Sequence, residues 1–166
     1  MTGGLDLHLA HAYLHRIMTK LEQFTGTAGQ KRLASTLMKH ELMGKNAAMA
    51  KAFAKQATIE EFTDGQTLLK QEGTDSHLYM ILDGEVGIEV NGNRVATSGA
   101  GVPIGEMALV DPKGGRSASV VAIKPTVVAR FSRPKFIALA KKYPQVWHAI
   151  ARHLARHVRK HNLRFK

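Results

Sequence analysis

Between Pro103 and Ala122 the chain sets Gly105, Glu106, Met107, Ala108 and Leu109 ahead of a Gly114-Gly115 turn, and then Arg116, Ser117 and Ala118 ahead of a β-branched run. A short helical turn that begins at a glycine leaves backbone N–H groups unpaired, and such groups can hold an anion. An acid at that turn can accept from a sugar hydroxyl. Arg116, placed between a glycine turn and a strand, can bring its planar guanidinium back to the same small cavity and grip a phosphate through two parallel hydrogen bonds. Type and spacing together therefore point to one cavity for a phosphorylated sugar. Singly, each residue has a plainer reading: Arg116 as a surface residue in a turn, Glu106 as an acid favoured by a helix dipole, Ser117 as a cap or a solvent-facing hydroxyl.

The elements that must position these groups follow from periodicity. Leu5, Leu9, Ala12, Leu14, Ile17 and Leu21 approximate a 3.6-residue repeat and predict a helix, followed by a break over Thr25, Gly26, Thr27, Ala28 and Gly29. Leu33 and Leu37 resume helical spacing before Gly44, and Ala47 to Ala57 is rich in helix formers. From Ile59 the pattern changes to short runs between glycine turns, with strands expected at Thr67 to Lys70, Leu78 to Leu82, Val86 to Val90, Arg94 to Thr97, Ser119 to Ile123 and Val127 to Phe131. Asn91, Gly92 and Asn93 read as a hairpin loop. Helical spacing returns after Pro134 and runs from Pro144 through Trp147, Ile150, Ala151, Leu154 and Val158. Helix, antiparallel roll and helix is the expected order.

Composition narrows the classes. The 166 residues are 44% apolar, enough for a core, and contain no cysteine, which excludes disulfides, thiolate metal sites and thiol nucleophiles. No apolar run is long enough to span a membrane and Met1 to Asp6 carries no signal-peptide pattern, so a soluble, cytoplasmic protein is expected. The net charge of +11 is uneven: residues 1–58 hold 8 Lys/Arg against 3 Asp/Glu, residues 59–131 hold 6 against 10, and residues 132–166 hold 10 against none. An acidic centre is unlike a continuous phosphate-tracking stripe, which argues against nucleic acid as the main partner. A nucleic-acid-binding module using residues 133–166 is the alternative from another class.

Nine histidines are present; His8, His11 and His15 recur at helical spacing, as do His153, His157 and His161. Neither set has a carboxylate in its immediate pattern, so solvated histidines and no metal are expected. His40-Glu41 lacks the second histidine of a metalloprotease helix. In the last helix Trp147, Ile150 or Ala151, Leu154, Val158 and His161 form a seam at intervals of three and four, which suggests a homodimer; packing on the chain's own roll is the competing reading.

Gly105-Glu106-Met107-Ala108-Leu109 followed by Arg116-Ser117-Ala118 resembles the phosphate-binding cassette of the cyclic-nucleotide-binding domain family. Phe62 to Gly65 and Glu72 to Val86, with Gly73, Tyr79 and Gly84, are similar to the family's first strands and turns, and the resemblance covers about residues 50 to 163. It implies a mainly β fold: a jelly roll over 58–132 with its cassette at 103–118, an N-terminal helical segment at 1–57, and C-terminal helices at 133–166 that act as lid and dimer element. It further implies a bound 3′,5′-cyclic mononucleotide and no other cofactor. Glu106 would accept from the ribose 2′-hydroxyl and Arg116 would pair with the phosphate. Gly105, Met107, Ala108, Ser117 and Ala118 would complete the shell, and Ile88, Val95 and Ala96 would line an apolar wall, being core residues on either reading. His161 and Asn162 would read the base edge. At Pro103 the chain departs from the aromatic residue more common in the family.

A narrower resemblance, carried by Gln30 to Ala34, Lys45 to Ala57, Val90 to Ala96, Gly99 to Gly101, Gly105 to Pro112, Pro125 to Ala129, Tyr143 to Trp147 and Ile150 to Arg152, is to the sensor domains of bacterial Pycsar anti-phage effectors. Those join such a domain to a TIR domain that degrades NAD. It implies cyclic UMP or cyclic CMP as ligand, and a sensor rather than an enzyme. Since no helix-turn-helix follows before Lys166, the chain is expected to be the sensor part of a longer protein with a C-terminal effector domain. A cyclic AMP or cyclic GMP sensor remains the alternative, because the cassette reads only sugar and phosphate.

Overall fold

A computed structural model of the chain describes residues 20–163, apart from the side chain of His161. The expected helix from Leu5 to Leu21 lies almost wholly outside the described residues. Among the described residues, helical backbone at 20–22 is followed by two helices before the roll, α1 (Gly26–Met38) and α2 (Ala47–Gln56). The expected break over Thr25 to Gly29 is corrected: only Thr25 is extended, as the N-cap, and the glycines open the helix. Gly29 serves contact, since a Cβ there would lie 2.4 Å from the Phe24 carbonyl carbon. Asn46 caps α2, its side-chain oxygen accepting from the Met49 N–H at 2.9 Å.

Eight strands follow: β1 (Thr58–Phe62), β2 (Thr67–Leu69), β3 (Leu78–Asp83), β4 (Glu85–Val90), β5 (Asn93–Gly99), β6 (Pro103–Ile104), β7 (Ser119–Ala122) and β8 (Thr126–Phe131). The short helix α3 (Met107–Val110) interrupts them, and α4 (Arg133–Lys142) and α5 (Gln145–Asn162) follow the last strand. The strands form two four-stranded sheets in the orders β1-β8-β3-β6 and β2-β7-β4-β5, antiparallel throughout. This is the expected jelly roll with flanking helices. Asn91 and Gly92 both take positive φ, 51° and 79°, as a tight turn between β4 and β5 requires.

The central strands of the first sheet, β3 and β8, are buried on both faces, which explains why they read as nearly unbroken apolar runs. Leu78, Met80 and Leu82 with Val127, Ala129 and Phe131 pack outward against the helices. Tyr79, Ile81 and Val128 point between the sheets, where they meet Leu68, Leu69, Val86, Val120 and Ala122. Phe53 of α2 joins the layers, with its ring 5.4 Å from Phe131 and 6.1 Å from Phe136.

The start of α5 belongs to the same core. Val146, Ala149, Ile150 and His153 are buried, and Trp147 stands edge-on to Phe136 at 5.2 Å. The seam expected to face a second chain is therefore divided: Trp147 and Ile150 pack on the chain's own body, while Val158 is 60% exposed. The apolar side of α4 and the Phe53 cluster supply the partner that the helical spacing alone left open.

Candidate functional site

Arg116 is 4% exposed. Its backbone is pinned to the turn after β2, donating to the Gly73 carbonyl at 3.0 Å and accepting from the Glu72 N–H at 2.9 Å. The guanidinium then runs inward beneath Gly105. One terminal nitrogen donates to the Gly105 carbonyl at 3.0 Å, the other to the His77 carbonyl at 2.8 Å, and Nε to Asp75 Oδ2 at 3.3 Å. The second terminal nitrogen also pairs with Asp75 Oδ1. Gly105 must be glycine here: its φ is +84°, and a Cβ would stand 2.5 Å from the guanidinium and 2.8 Å from the His77 carbonyl. Partial burial pushes the Asp75 carboxyl up, but hydrogen bonds and charge from Arg116, with His77, outweigh it and hold the group below its ordinary value.

Glu106 is the N-cap residue of α3 and is 6% exposed. Burial pushes its carboxyl above the usual carboxylate range, against a bond to its own backbone and the charge of His153. His153 Nε2 is 3.7 Å from Glu106 Oε1, beyond hydrogen-bond reach. A buried acid and a buried arginine thus flank one glycine, the acid at the mouth of a helical turn and the arginine behind it.

The other expected residues divide. Ala108 is buried, Met107 is 50% exposed, and the Ser117 hydroxyl points to Met107 Sδ at 3.5 Å. These line the cassette together with half-buried Ala118. Ile88 of β4 packs against the inter-sheet core and stands opposite Val120 and Ala96. Val95 is corrected: it is 41% exposed rather than core, because β5 is an edge strand. Asn162 is exposed at the end of α5; nine residues past His153, it sits about 13 Å farther along the helix. The side chain of His161 lies outside the described residues.

Asp75 and the group around His153 escaped the sequence reading. Asp75 lies in the Glu72 to His77 turn, whose glycine drew attention while its acid did not. His153 is corrected from solvated to buried, at 2% exposed. Its Nδ1 pairs with Glu41 Oε1, and Glu41 Oε2 accepts from Arg156 at 2.7 Å. The carboxylate absent from the helix's own pattern comes from the turn after α1, held by the Glu41 N–H donating to Gly101 at 3.1 Å. Partial burial raises the Glu41 carboxyl, but His153 and Arg156 carry the net shift downward. Next to it, burial pushes the His40 imidazole down to about 4.

The family model for the cyclic nucleotide-binding domain matches residues 59–143. The chain is 34% identical over 142 residues to the Pycsar effector protein XpPycTIR of Xanthomonas perforans, covering 86% of this chain and 47% of that protein. It is 32% identical to PaPycTIR of Pseudomonas aeruginosa, covering 86% and 46%. The chain thus spans about half the length of the curated relatives it matches. Among solved structures, the catabolite activator protein of Thermus thermophilus superposes with a TM-score of 0.67 at 28% identity, covering 75% of this chain and 61% of that one.

Proposed function

This chain belongs to the cyclic nucleotide-binding domain family, and on that premise we propose that it is the sensor of a Pycsar-type effector, with a cyclic pyrimidine, cyclic UMP or cyclic CMP, as its ligand. The observation that carries the reading is the pair of buried, oppositely charged side chains, Arg116 and Glu106, on either side of Gly105. Arg116 takes the cyclic phosphate. Four of its five N–H donors are engaged, two of them by Asp75, so phosphate competes with that carboxylate for the same cation. The first-turn amides of Met107 and Ala108 and the Ser117 hydroxyl add donors. Glu106 exchanges a poorly compensated burial for a hydrogen bond from the ribose 2′-hydroxyl.

The pyrimidine preference is supported by the likeness to two Pycsar effectors. Occupancy is read out through α5, whose first half packs on the body and whose second half, with Val158 60% exposed and Leu163 just beyond its end 66% exposed, is free to join a second copy. A ligand moves that equilibrium only through unequal affinity for the two arrangements. The chain acts as a sensor rather than an enzyme, and a C-terminal TIR domain is its output. Among the described residues no helix is long and apolar enough to cross a membrane, in keeping with a cytoplasmic role.

Calorimetric titration of cyclic UMP, CMP, AMP and GMP into the chain tests the reading. A cyclic pyrimidine is expected to bind at least about tenfold, ~1.4 kcal/mol, tighter than either purine. Tightest binding of cyclic AMP or cyclic GMP would reject the pyrimidine assignment, and binding of none would reject the sensor itself.

A further inference from the structure

We propose that Glu106, His153 and His157 form a binding site for a divalent ion of the zinc class, at the junction of the cassette and α5. One ligand atom from each residue lies within 4.8 Å of the others. The central observation is His153: it is 2% exposed, yet its Nε2 is buried without a hydrogen-bond partner among the described residues. That nitrogen faces Glu106 Oε1 at 3.7 Å. The separation is too long for a hydrogen bond, but two donors on one tetrahedral zinc-class ion, with bonds of about 2.0 to 2.2 Å, stand roughly 3.3 to 3.5 Å apart, so a side-chain shift of a few tenths of an ångström brings the pair to ligand spacing.

The surrounding geometry fits the same reading. The other ring nitrogen of His153 is paired with Glu41, so a carboxylate orients the imidazole and leaves Nε2 as the ligand atom, the usual outer support of a metal-bound histidine. Glu41 is in turn held by Arg156 at 2.7 Å. His157 follows one helical turn after His153, with ring centroids 4.1 Å apart. It is on the exposed side, where rotation can close the remaining distance and water can complete the coordination. Two imidazoles and one carboxylate select zinc, cobalt or nickel over magnesium or calcium.

The consequence rests on the sensor reading above. Glu106 cannot serve a metal and a ribose hydroxyl equally, so a bound ion ties α5 to the cassette and opposes the nucleotide. The site needs α5 to supply two ligands and the cassette one, which makes the ion a second input to the same helix.

Cobalt(II) and zinc(II) titrations of the full chain test this, on a background carrying His8→Ala, His11→Ala and His15→Ala to remove the N-terminal histidines. One equivalent of cobalt is expected to produce visible ligand-field bands that zinc abolishes, and His157→Ala is expected to weaken binding by at least about tenfold with an unchanged thermal melt. No such binding, or binding indifferent to His157→Ala, overturns the site. In the second arm, zinc at the concentration that just saturates the parent is expected to weaken cyclic-nucleotide affinity about tenfold in the parent, and His157→Ala is expected to need at least about tenfold more zinc for the same effect. Metal binding that leaves nucleotide affinity unchanged would show that Glu106 is not a ligand and overturn the three-residue site. The first arm uses no nucleotide, so a failure of the sensor reading, seen as no nucleotide binding to the metal-free chain, is distinct from a failure of the metal site.

Discussion

The two flanks of Gly105 bury opposite charges to nearly the same degree, Arg116 at 4% exposed and Glu106 at 6%, but they compensate them differently. Arg116 is surrounded by acceptors: two main-chain carbonyls and both oxygens of Asp75. Glu106 has the His153 imidazole set against it, with Nε2 at 3.7 Å and out of hydrogen-bond reach, and burial drives its carboxyl toward the neutral form. A buried charge with partners is tolerated, whereas one without them costs stability. The arginine flank is therefore built to be stable by itself, and the glutamate flank is built to gain when something arrives.

Removing each charge is expected to produce opposite signs. Arg116→Ala leaves Asp75 and two carbonyls without their donor and is expected to lower unfolding free energy in urea by about 2 kcal/mol, the figure reduced because Asp75 is partly solvated. Glu106→Gln is expected to raise stability at pH 7. The folded-state value of Glu106 stands above its ordinary 4.5, so the wild-type penalty is present once pH has risen through the folded value and vanishes below about 4.5; the gain should vanish with it. The same substitution is expected to weaken nucleotide binding about tenfold, ~1.4 kcal/mol, through loss of a charged acceptor. A Glu106→Gln protein less stable than wild type at pH 7 would break the contrast. The smallest effect is expected from Asp75→Asn, which relieves competition for Arg116 and should tighten nucleotide binding about twofold, ~0.4 kcal/mol, by calorimetry; weaker binding would mean that Asp75 orients the guanidinium instead of competing for it.

The roll was legible where burial wrote itself into the residues. β3 and β8 are continuous apolar runs because both their faces are covered, and Asn91-Gly92 marks its own turn. β1 was not singled out as a strand, since adjacent Glu60 and Glu61 break its alternation, and β6 is too short to show a period at two residues. In the site, Gly105, Glu106 and Arg116 were legible because they lie within one short stretch and impose a backbone geometry on it. Asp75 and Glu41 were not, because each acts on a residue far away in sequence: Asp75 reaches Arg116 across 41 positions and Glu41 reaches Arg156 across 115. For the same reason helical spacing showed a histidine stripe but not that its first member would be buried against carboxylates from two other segments.

The pairing of Arg116 with a cyclic phosphate is tested most directly by titrating cyclic UMP and cyclic CMP into wild type and into Arg116→Ala, after circular dichroism has established that the variant is folded. Loss of a charged contact in a buried pocket is expected to cost about 2 to 5 kcal/mol, at least about a thirtyfold fall in affinity. Affinity unchanged in the folded variant would contradict the assignment of Arg116 to the phosphate.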